Sequence, residues 1–137
     1  MTARQVCLGD VADLLVGFAF KSAQFLQPSD TGINLVRGNN VQQGFLRWGD
    51  RAMKWSSGAY EDFARYQLQL NDLVLAMDRP IVGGGLKLAW VKASDLPCLL
   101  VQRVTRIRGL SGVADTNYLR FALSAPDFIA HIDRITT

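Results

Sequence analysis

Residues 70–80 read Leu70-Asn71-Asp72-Leu73-Val74-Leu75-Ala76-Met77-Asp78-Arg79-Pro80. Five apolar residues in a row leave no polar face, so 73–77 is expected to be a strand covered on both sides. Asp72 and Asp78 bracket the run and Pro80 follows it, which is turn chemistry at strand ends. A strand of that kind needs sheet neighbours and a layer against each face, and the flanking sequence supplies candidates for both.

Downstream, Gly83-Gly84-Gly85 reads as a flexible turn, with strands expected over 86–91 and 98–107. Upstream, a strand is expected over 33–37, broken by Gly38-Asn39-Asn40, and a shorter one over 44–48 before Gly49-Asp50. Residues 51–67 are mixed: Ser56-Ser57-Gly58 argues for a loop, and 60–66 for one or two helical turns. Leu8, Val11, Leu14 and Leu15 recur at helical spacing, with Asp10 in the first turn and Gly17 as a stop; the spacing predicts a helix over 8–16. Near the other end, Asp115 or Thr116 caps a helix through Leu123. Ser124-Ala125-Pro126-Asp127 then opens a second helix, with Phe128, Ile129, Ile132 and Ile135 on one face. The expected fold is α+β: a mixed, largely antiparallel twisted β-sheet with a short N-terminal helix and C-terminal helices.

The 137 residues fit one domain, and 49% hydrophobic with 20% charged residues excludes disorder. Cys7 and Cys98 have no metal-ligand spacing, and no signal-peptide pattern opens the chain. A reduced, cytosolic protein with two unpaired thiols is the expectation. No apolar run is long enough to cross a bilayer.

Catalytic constellations lack their parts. His131 is the only histidine, on an expected helix, with no Gly-x-Ser-x-Gly elbow elsewhere. Gly83-Gly84-Gly85 is followed by an apparent strand, Leu86-Lys87-Leu88, rather than the Lys-Ser/Thr pair that opens the helix of a phosphate loop. Asp72, Asp78 and Lys87 allow a nuclease-like arrangement to be drawn, but their spacing is that of ordinary turn residues. Neither a catalytic residue nor a metal ligand is assigned.

What remains is polar and cationic. The chain carries eleven Arg to four Lys and eleven Asp to one Glu, Glu61, for a net charge of +3. Guanidinium makes forked hydrogen bonds to phosphate and base edges, while GC-rich codon usage gives the same bias. Between 37 and 55 lie Arg37, Asn39, Asn40, Gln42, Gln43, Arg47, Trp48, Arg51, Lys54 and Trp55, opposed only by Asp50. Arg pairs with guanine and Asn or Gln with adenine, so these are the side chains of direct base readout. Arg103, Arg106 and Arg108 form a second basic run suited to phosphates. A solvated strand edge is the competing reading of both stretches.

The order of these segments resembles the target recognition domain of the DNA-specificity (S) subunit of type I restriction-modification systems. The resemblance begins at Leu8-Gly9-Asp10-Val11-Ala12, with Phe20-Lys21-Ser22 behind it. It continues through Ile33-Asn34-Leu35-Val36-Arg37-Gly38-Asn39-Asn40-Val41-Gln42-Gln43-Gly44 and through the 70–80 segment. Gly85-Leu86-Lys87-Leu88-Ala89, the stretch from Leu96 to Val104, and Tyr118-Leu119-Arg120-Phe121-Ala122-Leu123-Ser124 complete it.

The resemblance implies a protein that is not an enzyme and that reads one half of a bipartite double-stranded DNA target. It implies methyltransferase (M) subunits and a restriction (R) subunit as partners, in the cytoplasm of a bacterial or archaeal cell, for DNA modification and phage defence. S-adenosylmethionine and ATP/Mg are expected only in those partners. On this reading 1–137 is one recognition domain, a fragment or truncated form without helical spacers and a second domain, so that a second S-type chain is a further expected partner. The alternative is a truncated interaction module that binds or regulates the methyltransferase or restriction subunits without reading DNA. The expected DNA-binding residues are Lys21, Ser22, Arg37, Asn39, Asn40, Arg47, Arg51, Lys54, Arg79, Lys87, Arg103, Arg106 and Arg108. For Arg79 a structural reading competes, a buried pair with Asp72 or Asp78. Trp48, Trp55 and Trp90 are expected in the core or on a sheet face.

Overall fold

A computed structural model describes residues 7–136, with the side chains of Asp133, Ile135 and Thr136 outside the description. The apolar run forms β4 (Leu73–Ala76), and every residue of it is buried. Val74 and Ala76 face one hydrophobic cluster and Leu73 and Leu75 the other, the period-two alternation of a strand with a layer on each side. β4 sits inside a four-stranded sheet ordered β1–β9–β4–β7, formed with β1 (Ala12–Val16), β7 (Leu88–Trp90) and β9 (Val104–Gly109). All its pairings are antiparallel.

A second sheet, ordered β3–β2–β8, holds β2 (Ile33–Val36), β3 (Lys54–Trp55) and β8 (Cys98–Leu100). Its β2–β8 pair is parallel and its β2–β3 pair antiparallel. The hairpin of β5 (Ile81–Val82) and β6 (Gly85–Leu86) stands apart, turning at Gly83 and Gly84. Both glycines have positive φ, 59° and 78°, as a two-residue hairpin turn requires. The mixed, largely antiparallel α+β expectation holds, divided over three sheets.

The layers follow from the burial. Val36, Val74, Ala89, Leu100 and Val104 fill the space between the two larger sheets. Leu73, Leu75 and Ile107 on the other face of the four-stranded sheet are covered by Leu119 and Leu123 of α2 (Thr116–Leu123) and Ile132 of α3 (Pro126–Thr136). α1 (Leu8–Val11) is a single turn ahead of β1. The outer face of the three-stranded sheet is roofed by aromatic residues, where Phe20 meets Trp55 at 4.9 Å and Phe63 at 4.7 Å between ring centroids. Asp115 caps α2 by accepting from the Asn117 amide at 2.7 Å. Ser124 does not cap α3; its hydroxyl donates back to the Arg120 carbonyl at 2.6 Å.

Four expected elements differ. The strand over 86–91 divides at Lys87, with Leu86 in β6 of the hairpin and Leu88–Trp90 in β7 of the four-stranded sheet. The helix over 8–16 shrinks to α1, because 12–16 form a strand in register with 105–109 of β9, and a five-residue ladder outweighs a weak helical spacing. The strand over 44–48 reduces to one bridge between Val41 and Leu46. The strand over 98–107 is two strands in different sheets, turning at 101–103 with Arg103 at φ 67°.

Candidate nucleic-acid interface

The loop after β1, the turn after β2, the turn after β4 and the β8–β9 turn come together around an open groove of about 810 Å³. Lys21 and Ser22 come from the first, Arg37 and Asn39 from the second, Asp78 and Arg79 from the third, and Gln102 and Arg103 from the fourth; Lys87 lies across from them. Five cations thus face one space with one carboxylate among them. Asp78 is 3.5 Å from Arg103, both side chains well exposed, so that pair screens little of the field.

The groove cations differ in how far they are committed. The side chains of Lys21, Arg79 and Lys87 make no hydrogen bond or ion pair among the described residues. Arg37 is half-buried: its Nη2 donates to the Arg51 carbonyl at 2.9 Å and its guanidinium lies 5.8 Å from the Phe25 ring centroid. Burial alone pulls the Arg37 pKa down from its ordinary value. The Lys87 ammonium is also held below the ordinary lysine value, first by burial and then by Arg51 and Arg79, with Asp78 opposing. Burial is thus the first cause of both shifts, and at Lys87 the neighbouring guanidiniums add to it.

A second cleft of about 490 Å³ shares Asn39, Arg79 and Lys87 with the first and adds Gln42, Gln43, Arg51 and Val82. Arg51 Nη1 donates to the Asn39 carbonyl at 3.0 Å, so it holds the asparagine's backbone while the Asn39 carboxamide keeps its donors and acceptors free.

Eight of the thirteen expected residues therefore gather here: Lys21, Ser22, Arg37, Asn39, Arg51, Arg79, Lys87 and Arg103. The remaining five lie elsewhere, and four of them are taken up by the fold. Asn40 is fully buried; its Nδ2 donates to the Arg47 and Arg51 carbonyls and its Oδ1 accepts from the Arg37 amide, each at 2.9 Å. Lys54 Nζ donates to the Pro28 and Asp30 carbonyls at 2.9 and 2.7 Å, pinning the loop before β2. Arg106 is buried against Asp13 at 2.6 Å, and Arg108 is bound to Asp72. Arg47 is exposed but outside both clefts, 3.9 Å from Asp50. The buried-pair reading of Arg79 fails as well, since Asp72 and Asp78 hold Arg108 and Arg103 instead.

The tryptophans are structural, as expected. Trp48 Nε1 donates to Asp95 at 2.8 Å, Trp55 sits in the aromatic roof, and Trp90 lies 4.4 Å under the Arg120 guanidinium. Gln42, Gln43, Gln102 and Val82 were not among the expected site residues. The two glutamines lay in the polar run of 37–55; Gln102 was hidden because 98–107 reads as one continuous strand. No group of His, Cys, Asp and Glu among the described residues is placed to hold a metal ion, and no helix there is long and apolar enough to cross a membrane.

No family model matches the chain. It is 37% identical over 126 residues to the type I restriction enzyme EcoAI specificity subunit of Escherichia coli, a match covering 92% of this chain and 21% of that protein. It is 28% identical over 130 residues to the type I restriction enzyme MjaVIII specificity subunit of Methanocaldococcus jannaschii, covering 95% of this chain and 30% of the relative. The chain thus spans well under a third of the first relative's length and close to a third of the second's. Among solved structures, the HsdS subunit from Thermoanaerobacter tengcongensis superimposes with a TM-score of 0.63 at 16% identity, over 93% of this chain and 28% of that one. A chain from a structure of type I R-M system assembly and conformational transition gives 0.54 at 14% identity, over 94% of this chain and 37% of its own length.

Proposed function

We propose that this chain acts as a target recognition domain like those of the type I restriction specificity subunits it matches, and that its shared groove and cleft bind double-stranded DNA. The chain reads one half of a bipartite target and itself catalyses nothing. It directs methyltransferase and restriction subunits in the cytoplasm, and S-adenosylmethionine, ATP and Mg belong to those partners.

The observation that carries this reading is the convergence of uncommitted groups. Lys21, Arg79 and Lys87, from three separate loops, face one groove without internal partners among the described residues. Asn39 beside them keeps a free carboxamide. Cations left unanswered by the fold suit phosphates, and a free amide between them suits a base edge. A net charge of +3 predicts weak binding by one domain alone, tightened when two half-sites are held together.

The test is duplex binding measured against salt. Binding should weaken with salt at a slope of about −0.9 per phosphate neutralised. Alanine at Lys21, Arg79 or Lys87 should each shorten that slope by about one. If the chain binds no duplex even at low salt, the reading is wrong, and an interaction module without DNA recognition takes its place.

A further inference from the structure

We infer that the smaller cleft is where a base pair is read, that the pair is A·T, and that Asn39, Gln42 and Val82 read it while the larger groove holds the sugar–phosphate backbone. This rests on the DNA-binding reading above and divides that surface by chemistry.

The two spaces are lined differently. The larger has five cations and an aromatic floor of Phe20 and Phe25, a set that answers charge and carries little sequence information. The smaller brings together three carboxamides, from Asn39, Gln42 and Gln43, beside one apolar side chain, with Arg51, Arg79 and Lys87 along its edge. Gln43 is occupied: its Nε2 donates to the Val82 carbonyl at 2.8 Å, and its amide fills the place a Cβ would take on Gly85. That bond fixes the β5–β6 hairpin, and so Val82, against the 41–46 loop. Gln42 Nε2 makes a long bond of 3.3 Å to the Asn39 carbonyl, which leaves its Oε1 open.

An open carboxamide offers a donor and an acceptor side by side, matching the N6 and N7 edge of adenine. Val82 is half-exposed on a strand whose position is held by Gln43. A fixed, exposed aliphatic group next to an adenine reader is suited to the 5-methyl group of the paired thymine. Asn39, Arg79 and Lys87 line both spaces, so the two cations meet the backbone at the border where the Asn39 carboxamide meets the base.

The experiment selects a preferred duplex from a randomised pool with the intact chain. It then measures affinity for every single base-pair change, and for deoxyuridine in place of each thymine. For the unsubstituted chain, one deoxyuridine substitution should cost several-fold in affinity. Asn39→Ala should lower affinity for the preferred duplex by about 5- to 150-fold and flatten discrimination at one A·T pair. Val82→Ala should abolish the deoxyuridine effect at that same pair, while Arg103→Ala weakens all sequences alike. Thermal melts of each variant show that it folds.

If Asn39→Ala and Val82→Ala weaken every duplex equally, or flatten a G·C pair, or if no thymine methyl matters, the inference is overturned while DNA binding stands. If the unsubstituted chain binds no duplex at low salt, both fall together.

Discussion

Arg108 grips Asp72 with two parallel hydrogen bonds, Nε to Oδ1 and Nη2 to Oδ2, each 2.7 Å long. Asp72 is 2% exposed, and its Oδ2 also accepts from the Gln69 amide at 2.7 Å. The hydrogen bond to Asp72 raises the Arg108 pKa above its ordinary value in spite of burial. Arg106 and Arg108 share the face of β9 that carries Val104 and looks into the space between the sheets. A guanidinium there needs a carboxylate, and Asp13 and Asp72 supply one each.

Arg108→Ala should therefore act on stability and leave recognition alone. Removing one partner strands the Asp72 carboxylate in the interior, at a cost of about 3–5 kcal/mol. Urea unfolding should show that loss, and duplex affinity per folded molecule should be unchanged. A loss of affinity with full stability would put Arg108 back on the DNA surface.

The Arg106–Asp13 pair differs because Asp13 is half in solvent while Arg106 is 6% exposed. Asp13→Ala leaves a buried cation, whereas Arg106→Met removes the charge and keeps the stem's packing. Asp13→Ala combined with Arg106→Met should be more stable than Asp13→Ala alone. The double-mutant cycle should give a coupling of about 1–3 kcal/mol.

Neighbouring asparagines make a sharper contrast. Asn40→Ala leaves the Arg37 amide and the Arg47 carbonyl without their partner and removes one of the donors to the Arg51 carbonyl, which keeps Arg37 Nη2 and the Met53 amide. It should cost about 1–3 kcal/mol of stability. Asn39→Ala cuts no side-chain hydrogen bond and should move stability by no more than about 0.5 kcal/mol. Denaturant midpoints for the two variants measure this directly.

Those contrasts also show what was legible. The run at 73–77 announces a doubly covered strand because a strand with an apolar layer on each face has no use for polar residues; it holds over 73–76, with Met77 exposed beyond the end. The N-terminal strand was misread because Leu8, Val11, Leu14 and Leu15 fit a helix locally, and its partner, Gly109, lies almost a hundred residues on. The turn at 101–103 carries no glycine or proline; Arg103 itself takes the positive φ. The same distance effect divided the site residues. Arg106 and Arg108 look like a free basic run because their acids, Asp13 and Asp72, are remote in sequence. Asn39 and Asn40 are indistinguishable until the turn decides which one points inward.

Lys87 gives the last test, through pH. Burial, with Arg51 and Arg79 close by, lowers its pKa, so the folded chain holds that proton less tightly than the unfolded chain does. Between the lowered folded value and the ordinary one the unfolded state binds more protons, so this group's contribution to stability rises with pH through that window. Phosphate binding runs the other way, because it needs the charged ammonium. Raising the pH from about 8 toward the ordinary lysine value of about 10.4 should therefore shorten the salt slope of duplex binding by about one. Lys87→Arg keeps its charge across that range, so its slope should shorten by clearly less than that of the unsubstituted chain. Equal slopes for the two proteins at every pH would mean that Lys87 touches no phosphate.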